Sequence, residues 1–135
     1  MSKIILHGEV YDLPIGGYIK EDFKKFSKRT SLFNKDRILN MDNLAQAPNL
    51  DITAKYQYYR TLFERVTAAF CMHIESGFYG DYYEKSDSLR KKMFGTQNKV
   101  EEYAKQGRYE DAITEMDELI AETLEFYKNM GAKSR

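Results

Sequence analysis

The sequence predicts a mainly α-helical protein, either a three-helix bundle or a helical hairpin plus one long helix, with a small β-hairpin at the N-terminus. Three observations lead to this fold class. Three long segments after residue 50 carry apolar residues at alternating spacings of four and three, as on one face of a helix. Only Gly107 separates the last two segments, so they must run antiparallel as neighbours. The first thirteen residues instead contain a short apolar run over residues 4–6 and alternating polarity over residues 9–13, which is typical of a pair of strands.

The N-terminal elements follow from local turn and capping signals. A hairpin is predicted over residues 3–13, with His7-Gly8 as its turn and Pro14 as its end. A short helix is predicted over residues 19–30, because Ile19, Phe23 and Phe26 share one of its faces. Residues 31–48 mix apolar with polar side chains, which indicates a loop containing one or two helical turns.

Three longer helices are predicted over residues 51–76, 81–106 and 108–130, within a single domain covering residues 1–130. Asp51 is the expected cap of the first helix, whose second apolar stripe should make it central to the fold. Gly95 predicts a kink or break in the second helix, because glycine costs about 1 kcal/mol relative to alanine there. Residues 131–135 are expected to fray. The second stripe comprises Tyr58, Leu62, Ala69 and Met72.

Composition limits the classes of function. The 135 residues are 42% apolar and 14% aromatic, which suits one folded core rather than a disordered chain. The formal net charge of zero makes nucleic acid an unlikely main partner. Cys71 is the only cysteine, which excludes an internal disulfide or a thiolate metal cluster. The sequence has no apolar run of membrane-spanning length, so a cytoplasmic protein (in a host cell, if viral) without membrane contact is expected.

No catalytic or metal-binding constellation stands out. His7 lies in a turn, whereas His73 lies on a helical seam where packing is the usual role. Cys71 and His73 point about 200° apart on a helix, so they cannot form a nucleophile–base pair. The sequence also lacks the Glu-x-x-His pairs of di-iron bundles and the Gly-Lys-Ser/Thr ending of a phosphate-binding loop. We therefore expect no enzyme, no cofactor and no metal.

Charge is distributed unevenly along the chain. The segment 20–37 is rich in Lys and Arg, whereas the helix over 109–126 is strongly acidic. These regions either face each other or water, or they attract a partner of opposite charge. The sequence leaves these alternatives open.

A cluster of aromatic residues is the strongest candidate for a binding surface. Tyrosine suits surfaces that are apolar yet hydrated, and it is enriched at protein interfaces. The four aromatic side chains of residues 78–83 cannot all turn inward around a tight link, so an exposed patch is expected at the junction of the first two long helices. The alternative is that they pack locally at this junction. The predicted protein-binding residues are Tyr58, Phe78, Tyr79, Tyr82 and Tyr83.

Two segments resemble known families. Residues 104–113 (AKQGRYEDAI) resemble the inter-helix turn of a tetratricopeptide repeat, but the sequence has no second copy. Residues 3–13 (KIILHGEVYDL), followed by a basic helix and then all helix, resemble small tail assembly chaperones of long-tailed phages. This resemblance implies a non-catalytic protein that binds tape-measure and tail-tube proteins during assembly.

The combined expectation is a non-catalytic protein-binding or assembly factor, with a phage tail component as the implied partner. The alternative is a small regulator or inhibitor of a host enzyme or of nucleic-acid machinery, acting through segment 20–37. A homo-oligomer is left open.

Overall fold

The computed structural model describes residues 3–12, 39–46, 50–75 and 83–133. Within these ranges the chain is mainly helical and carries an N-terminal β-hairpin, as predicted. The predicted helix over residues 19–30 and the basic segment 20–37 lie outside the described residues.

The hairpin consists of β1 (Lys3–Leu6) and β2 (Glu9–Asp12), paired antiparallel with Leu6 opposite Glu9. His7 and Gly8 form the predicted two-residue turn, with φ angles of 52° and 77°. Two consecutive positive φ angles match the right-handed twist of the strands, and glycine adopts such an angle without steric cost. A short third strand, β3 (Leu39–Asn40), pairs parallel to β1 and was not predicted.

A short helix, α1 (Met41–Gln46), follows β3 directly and supplies helical turns inside the predicted loop 31–48. Oδ1 of Asn40 accepts a hydrogen bond from the backbone N–H of Asn43 at 3.0 Å, which caps this helix. Met41 and Leu44 are fully buried. The helix therefore anchors β3 to the core.

The helix α2 (Ile52–Glu75) begins at the predicted cap. Oδ1 of Asp51 accepts hydrogen bonds from the N–H of Ala54 at 2.8 Å and from the hydroxyl of Thr53 at 2.7 Å. These bonds satisfy donors that have no partner within the first helical turn. Both ends of α2 lie within one residue of the predicted bounds.

Two further helices, α3 (Tyr83–Lys105) and α4 (Tyr109–Lys133), form the predicted helical hairpin. Gly107 has a φ of 74°, and the next residue, Arg108, donates a backbone hydrogen bond to the carbonyl of Tyr103 at 2.8 Å. Gly107 itself donates to the carbonyl of Ala104. This pair of bonds is a Schellman motif, which ends one helix so that the next can reverse direction.

Two sequence expectations about the helix interiors and ends are wrong. The helix α3 runs unbroken through Gly95, because neighbouring packing outweighs the modest cost of one glycine. The helix α4 continues to Lys133, so the first three residues of the predicted frayed tail are helical.

The helix α4 is the central packing element. Both α2 and α3 contact α4 extensively, whereas α2 and α3 contact each other much less. The strand β2 also lies against α4. The buried cluster joins apolar side chains of the hairpin, α1 and all three long helices into one core. The largest side chains that are almost fully buried are Tyr58, Phe70, Ile4, Leu6, Met41, Leu44, Leu62 and Met116.

Candidate protein-binding surface

The structure describes two of the five predicted binding residues, and only one of these two is exposed. Tyr58 is only 1% exposed and belongs to the core, so its assignment to a binding surface is wrong. The physical reason is that the core covers a wide arc of α2, including three of the four residues of the second apolar stripe; only Met72 of that stripe is exposed. Tyr83, the first residue of α3, is 54% exposed. Phe78, Tyr79 and Tyr82 lie outside the described residues.

An open groove lies between α2 and α3, which make little contact with each other. Its volume is about 320 Å³. The side chains of Phe63 and Met93, each 2% exposed, form its apolar floor. Ala68 and Phe94 line it from opposite helices, and Phe94 is 54% exposed. The groove exists because α2 and α3 both pack on α4 rather than on each other.

Tyr83 and Phe94 belong to one stripe along α3. They are eleven residues apart, which is three helical turns plus about 20°. From Tyr83 to Phe94, successive residues on this face are four, three and four positions apart. Beyond Phe94, the next two residues on the face follow after three and then four positions. This spacing places them on one face of α3, where two aromatic side chains stand among four polar ones. The stripe, here called the α3 stripe, comprises Tyr83, Asp87, Arg90, Phe94, Gln97 and Glu101.

Phe94 and the α3 stripe were not predicted from the sequence. The apolar spacing of this helix instead indicates the neighbouring seam through Leu89, Met93 and Val100, which the structure buries. The eleven-residue separation of two aromatic residues was the signal that could have identified the stripe. Periodicity alone does not show which of two adjacent stripes is buried, because that depends on where the neighbouring helices pack.

Charged side chains close one end of the groove. Nε of Arg60 on α2 lies 2.8 Å from Oε1 of Glu64, and its Nη2 lies 3.5 Å from Oε1 of Glu101 on α3. Its Nη1 also donates a hydrogen bond to the hydroxyl of Tyr56 at 3.1 Å. Although burial opposes its charge, the hydrogen bonds to Glu64 and Tyr56 raise the pKa of Arg60. Arg60 thus holds the two walls together at this end.

A second polar cluster joins the hairpin turn to the helices. The carboxylate of Asp42 accepts hydrogen bonds from the backbone N–H groups of His7 and Gly8, both at 2.8 Å. Nε2 of His7 hydrogen-bonds with Oδ2 of Asp117 on α4. Burial, with a smaller contribution from the charge of Asp117 and a hydrogen bond to it, raises the pKa of the Tyr59 hydroxyl. Tyr59 therefore remains protonated, and the cluster connects the hairpin turn to α1 and α4.

His73 and Cys71 lie apart from this cluster. Nδ1 of His73 is 2.6 Å from the hydroxyl of Tyr127 on α4, and burial lowers the pKa of the His73 imidazole. The neutral imidazole and the Tyr127 hydroxyl share one hydrogen bond, whose direction is set by which ring nitrogen carries the proton. Cys71 is half-buried and lines the groove between α2 and α3.

The acidic helix is partly neutralised within the chain. Oε1 of Glu122 lies 2.8 Å from Nζ of Lys92 on α3, and Oδ2 of Asp111 lies 2.8 Å from Nε of Arg108. Asp117 is paired with His7. The described residues therefore show that Lys92 on α3 and Arg108 in the turn before α4 provide basic partners for acidic residues of α4. The predicted alternative, a contact with segment 20–37, lies outside them.

Among the described residues, no helix combines the length and apolar character needed to cross a membrane. Within the same ranges, His, Cys, Asp and Glu side chains do not gather into a group of three or more that could hold a metal ion. Comparison of the chain with known protein families, with curated proteins and with solved structures gave no match.

Proposed function

We propose that this chain is a non-catalytic protein-binding factor whose binding surface is the groove between α2 and α3 together with the α3 stripe. The observation that carries this proposal is the exposure of two aromatic side chains, Tyr83 and Phe94, on one face of α3 beside an open apolar groove. Exposed aromatic side chains next to a concave apolar surface are the usual anchors of protein interfaces.

The exposed aromatic surface of α3 can still be buried by a partner. Phe94 is 54% exposed, although it stands next to Met93, which is 2% exposed. A partner that covers Phe94 removes apolar surface from water, at about 25 cal/mol per Å². The shape also constrains the partner, because a cleft between two helices fits an amphipathic helix with apolar anchors about one turn apart.

The more specific proposal is an assembly factor similar to phage tail assembly chaperones. It is supported by the N-terminal sequence KIILHGEVYDL and by the mainly helical remainder of the chain. Such a protein would bind a tape-measure or tail-tube protein. Genes for tail components beside the gene for this chain would support this specific proposal.

Site-specific photocrosslinking tests the binding surface in the native cell. A photoreactive phenylalanine derivative replaces Phe94 in one variant and Ser88 in the control. Ser88 is also exposed on α3, but it points about 120° away from the α3 stripe. We expect a discrete crosslinked protein from position 94 and none from position 88. No crosslink from position 94, or the same crosslinks from both positions, would overturn the proposal.

A further inference from the structure

The helix α4 carries one strongly acidic face. Between residues 109 and 126 its sequence contains seven acidic residues and no lysine or arginine. At 3.6 residues per turn, five of the seven fall within an arc of about 80° and extend over about 21 Å of the helix. One edge of this arc borders α3, and the other borders the hairpin. These five residues, here called the acidic face, are Asp111, Glu115, Glu118, Glu122 and Glu125.

The described part of the chain neutralises the acidic face only in part. Two of its five carboxylates pair with basic side chains, those of Lys92 and Arg108. Lys99 is exposed at the same cleft between α3 and α4, so five negative side chains stand against three positive ones. Within the described residues, the remaining three carboxylates of the face make no ion pair with a lysine or arginine. These are Glu115, Glu118 and Glu125.

Glu125 shows most directly that a basic partner is needed. Its Oε2 is buried and has no hydrogen-bond partner among the described residues. Burial, with smaller contributions from Glu9 and Glu125, raises the pKa of the Tyr11 hydroxyl to about 12, which places the Glu125 carboxylate beside β2. A buried carboxylate oxygen without a donor is destabilising, whereas a lysine or arginine side chain satisfies it.

The segment 20–37 carries the complementary charge. It contains seven lysine or arginine residues and three acidic ones, and it lies outside the described residues. The strands on either side of it are described, since β2 ends at Asp12 and β3 begins at Leu39. Asp12 pairs with Lys3 and Leu39 pairs with Ile4, so the chain leaves and re-enters the sheet at the same end. Because β1 lies between β2 and β3, these two points are about 10 Å apart.

The acidic face is within reach of this segment. Tyr11, which lies beside Glu125, is one residue before the end of β2. An extended chain advances about 3.3 Å per residue, so the stretch from Asp12 to Lys20 can span about 26 Å, more than the length of the face. A segment tethered at this distance has an effective concentration in the millimolar range. This favours the chain's own basic segment over a separate basic protein.

From these features we infer that the acidic face of α4 binds the basic segment 20–37 of the same chain. Lysine and arginine side chains of the segment supply the partners that Glu115, Glu118 and Glu125 lack. The contact also covers the segment, so it is not free to bind nucleic acid or another acidic partner in the intact protein. The acidic face is separate from the groove between α2 and α3, so this inference does not depend on the proposed function.

Limited trypsin digestion of the full chain tests this contact, because trypsin cleaves after lysine and arginine. Glu115→Gln combined with Glu118→Gln removes two charges from the acidic face. Glu84→Gln combined with Glu102→Gln removes two exposed charges from α3 and is the matched control. We expect cleavage within residues 20–37 to be about fivefold faster in the first variant than in the wild type and unchanged in the control. Circular dichroism checks that both variants are folded, and equal cleavage rates in the first variant and the wild type would overturn the inference.

Carbodiimide crosslinking of the wild type identifies the occupant without any substitution, since it joins a lysine amine directly to a carboxylate in contact with it. An equal mixture of isotope-labelled and unlabelled chains distinguishes contacts within a chain from contacts between copies. We expect crosslinks between lysines of segment 20–37 and the acidic face, with both peptides carrying the same label. Crosslinked pairs with mixed labels would assign the face to a second copy. Mixed pairs, or no crosslink between the two regions, would overturn the inference.

Discussion

Nε2 of His7 hydrogen-bonds with Oδ2 of Asp117, which fixes the tip of the hairpin to the middle of α4, 110 residues later in the chain. A second tie lies farther along, where the hydroxyl of Tyr11 hydrogen-bonds with Oε2 of Glu9 at 3.0 Å and that same oxygen is 3.4 Å from Nζ of Lys128. These two ties and the packing of β2 against α4 hold the hairpin along α4.

Asp117→Asn should destabilise the protein by about 1–3 kcal/mol, because the buried hydroxyl of Tyr59 and the ring of His7 lose a charged acceptor. His7→Asn should cost less than about 1 kcal/mol, since asparagine tolerates the positive φ of the turn and the side chain is half exposed. Glu118→Gln is the matched control, next to Asp117 but exposed. Urea denaturation measures all three, and equal stability of Asp117→Asn and Glu118→Gln would contradict the described role of Asp117.

Two glycines should respond in opposite ways to alanine. A Cβ at Gly95 meets no atom within 4 Å, and the residue lies inside α3. Gly95→Ala should therefore stabilise the protein by about 1 kcal/mol, because alanine favours the helix. Gly107→Ala should destabilise it by about 1 kcal/mol or more, since the φ of 74° is unfavourable for a residue with a Cβ. Thermal denaturation compares the two, and a loss of stability in Gly95→Ala would indicate that glycine is required within α3.

The long helices could be predicted from the sequence because their apolar spacing and capping residues are local signals. Asp51 begins α2 and Gly107 ends α3, as expected, and both do so through hydrogen bonds between residues close in sequence. The strand β3 could not be predicted in this way. It contains only Leu39 and Asn40, and it exists because β1 offers it a parallel pairing partner from a distant part of the chain.

The candidate surface was predicted only in part. Tyr83 lies on it, but Tyr58 does not, because exposure depends on which flank of a helix faces its neighbours. Phe94 was missed for the same reason. A sequence shows that α3 has two adjacent stripes, whereas only the packing of α2 and α3 on α4 decides which stripe stays open.

Stability should decrease as the pH falls through the range in which histidine titrates. Burial lowers the pKa of His73 below its usual value of 6.5, so the unfolded chain binds this proton before the folded protein does. The free energy of unfolding therefore falls as the pH drops below about 6.5 and levels off below the folded-state pKa. His73→Gln should show a shallower decline between about pH 5 and pH 7.

Urea denaturation at several pH values measures this slope for the wild type and for His73→Gln. Identical slopes for these two proteins between about pH 5 and pH 7 would show that His73 titrates alike in the folded and unfolded states.

Glu9 acts in a different pH range, because the hydrogen bond from Tyr11 and the charge of Lys128 lower its pKa below 4.5. Its stabilising contribution is present above that value and is lost at more acidic pH.

The proposed function requires the face formed by α2 and α3 to bind protein through Phe94. Titration calorimetry with the partner identified by crosslinking tests it most directly, using the wild type, Phe94→Asp and the matched control Ser88→Asp. We predict that Phe94→Asp binds at least about tenfold more weakly, since a central aromatic anchor contributes about 2 kcal/mol or more. The control should bind with nearly the wild-type affinity. Equal affinity of folded Phe94→Asp and the wild type would contradict the claim.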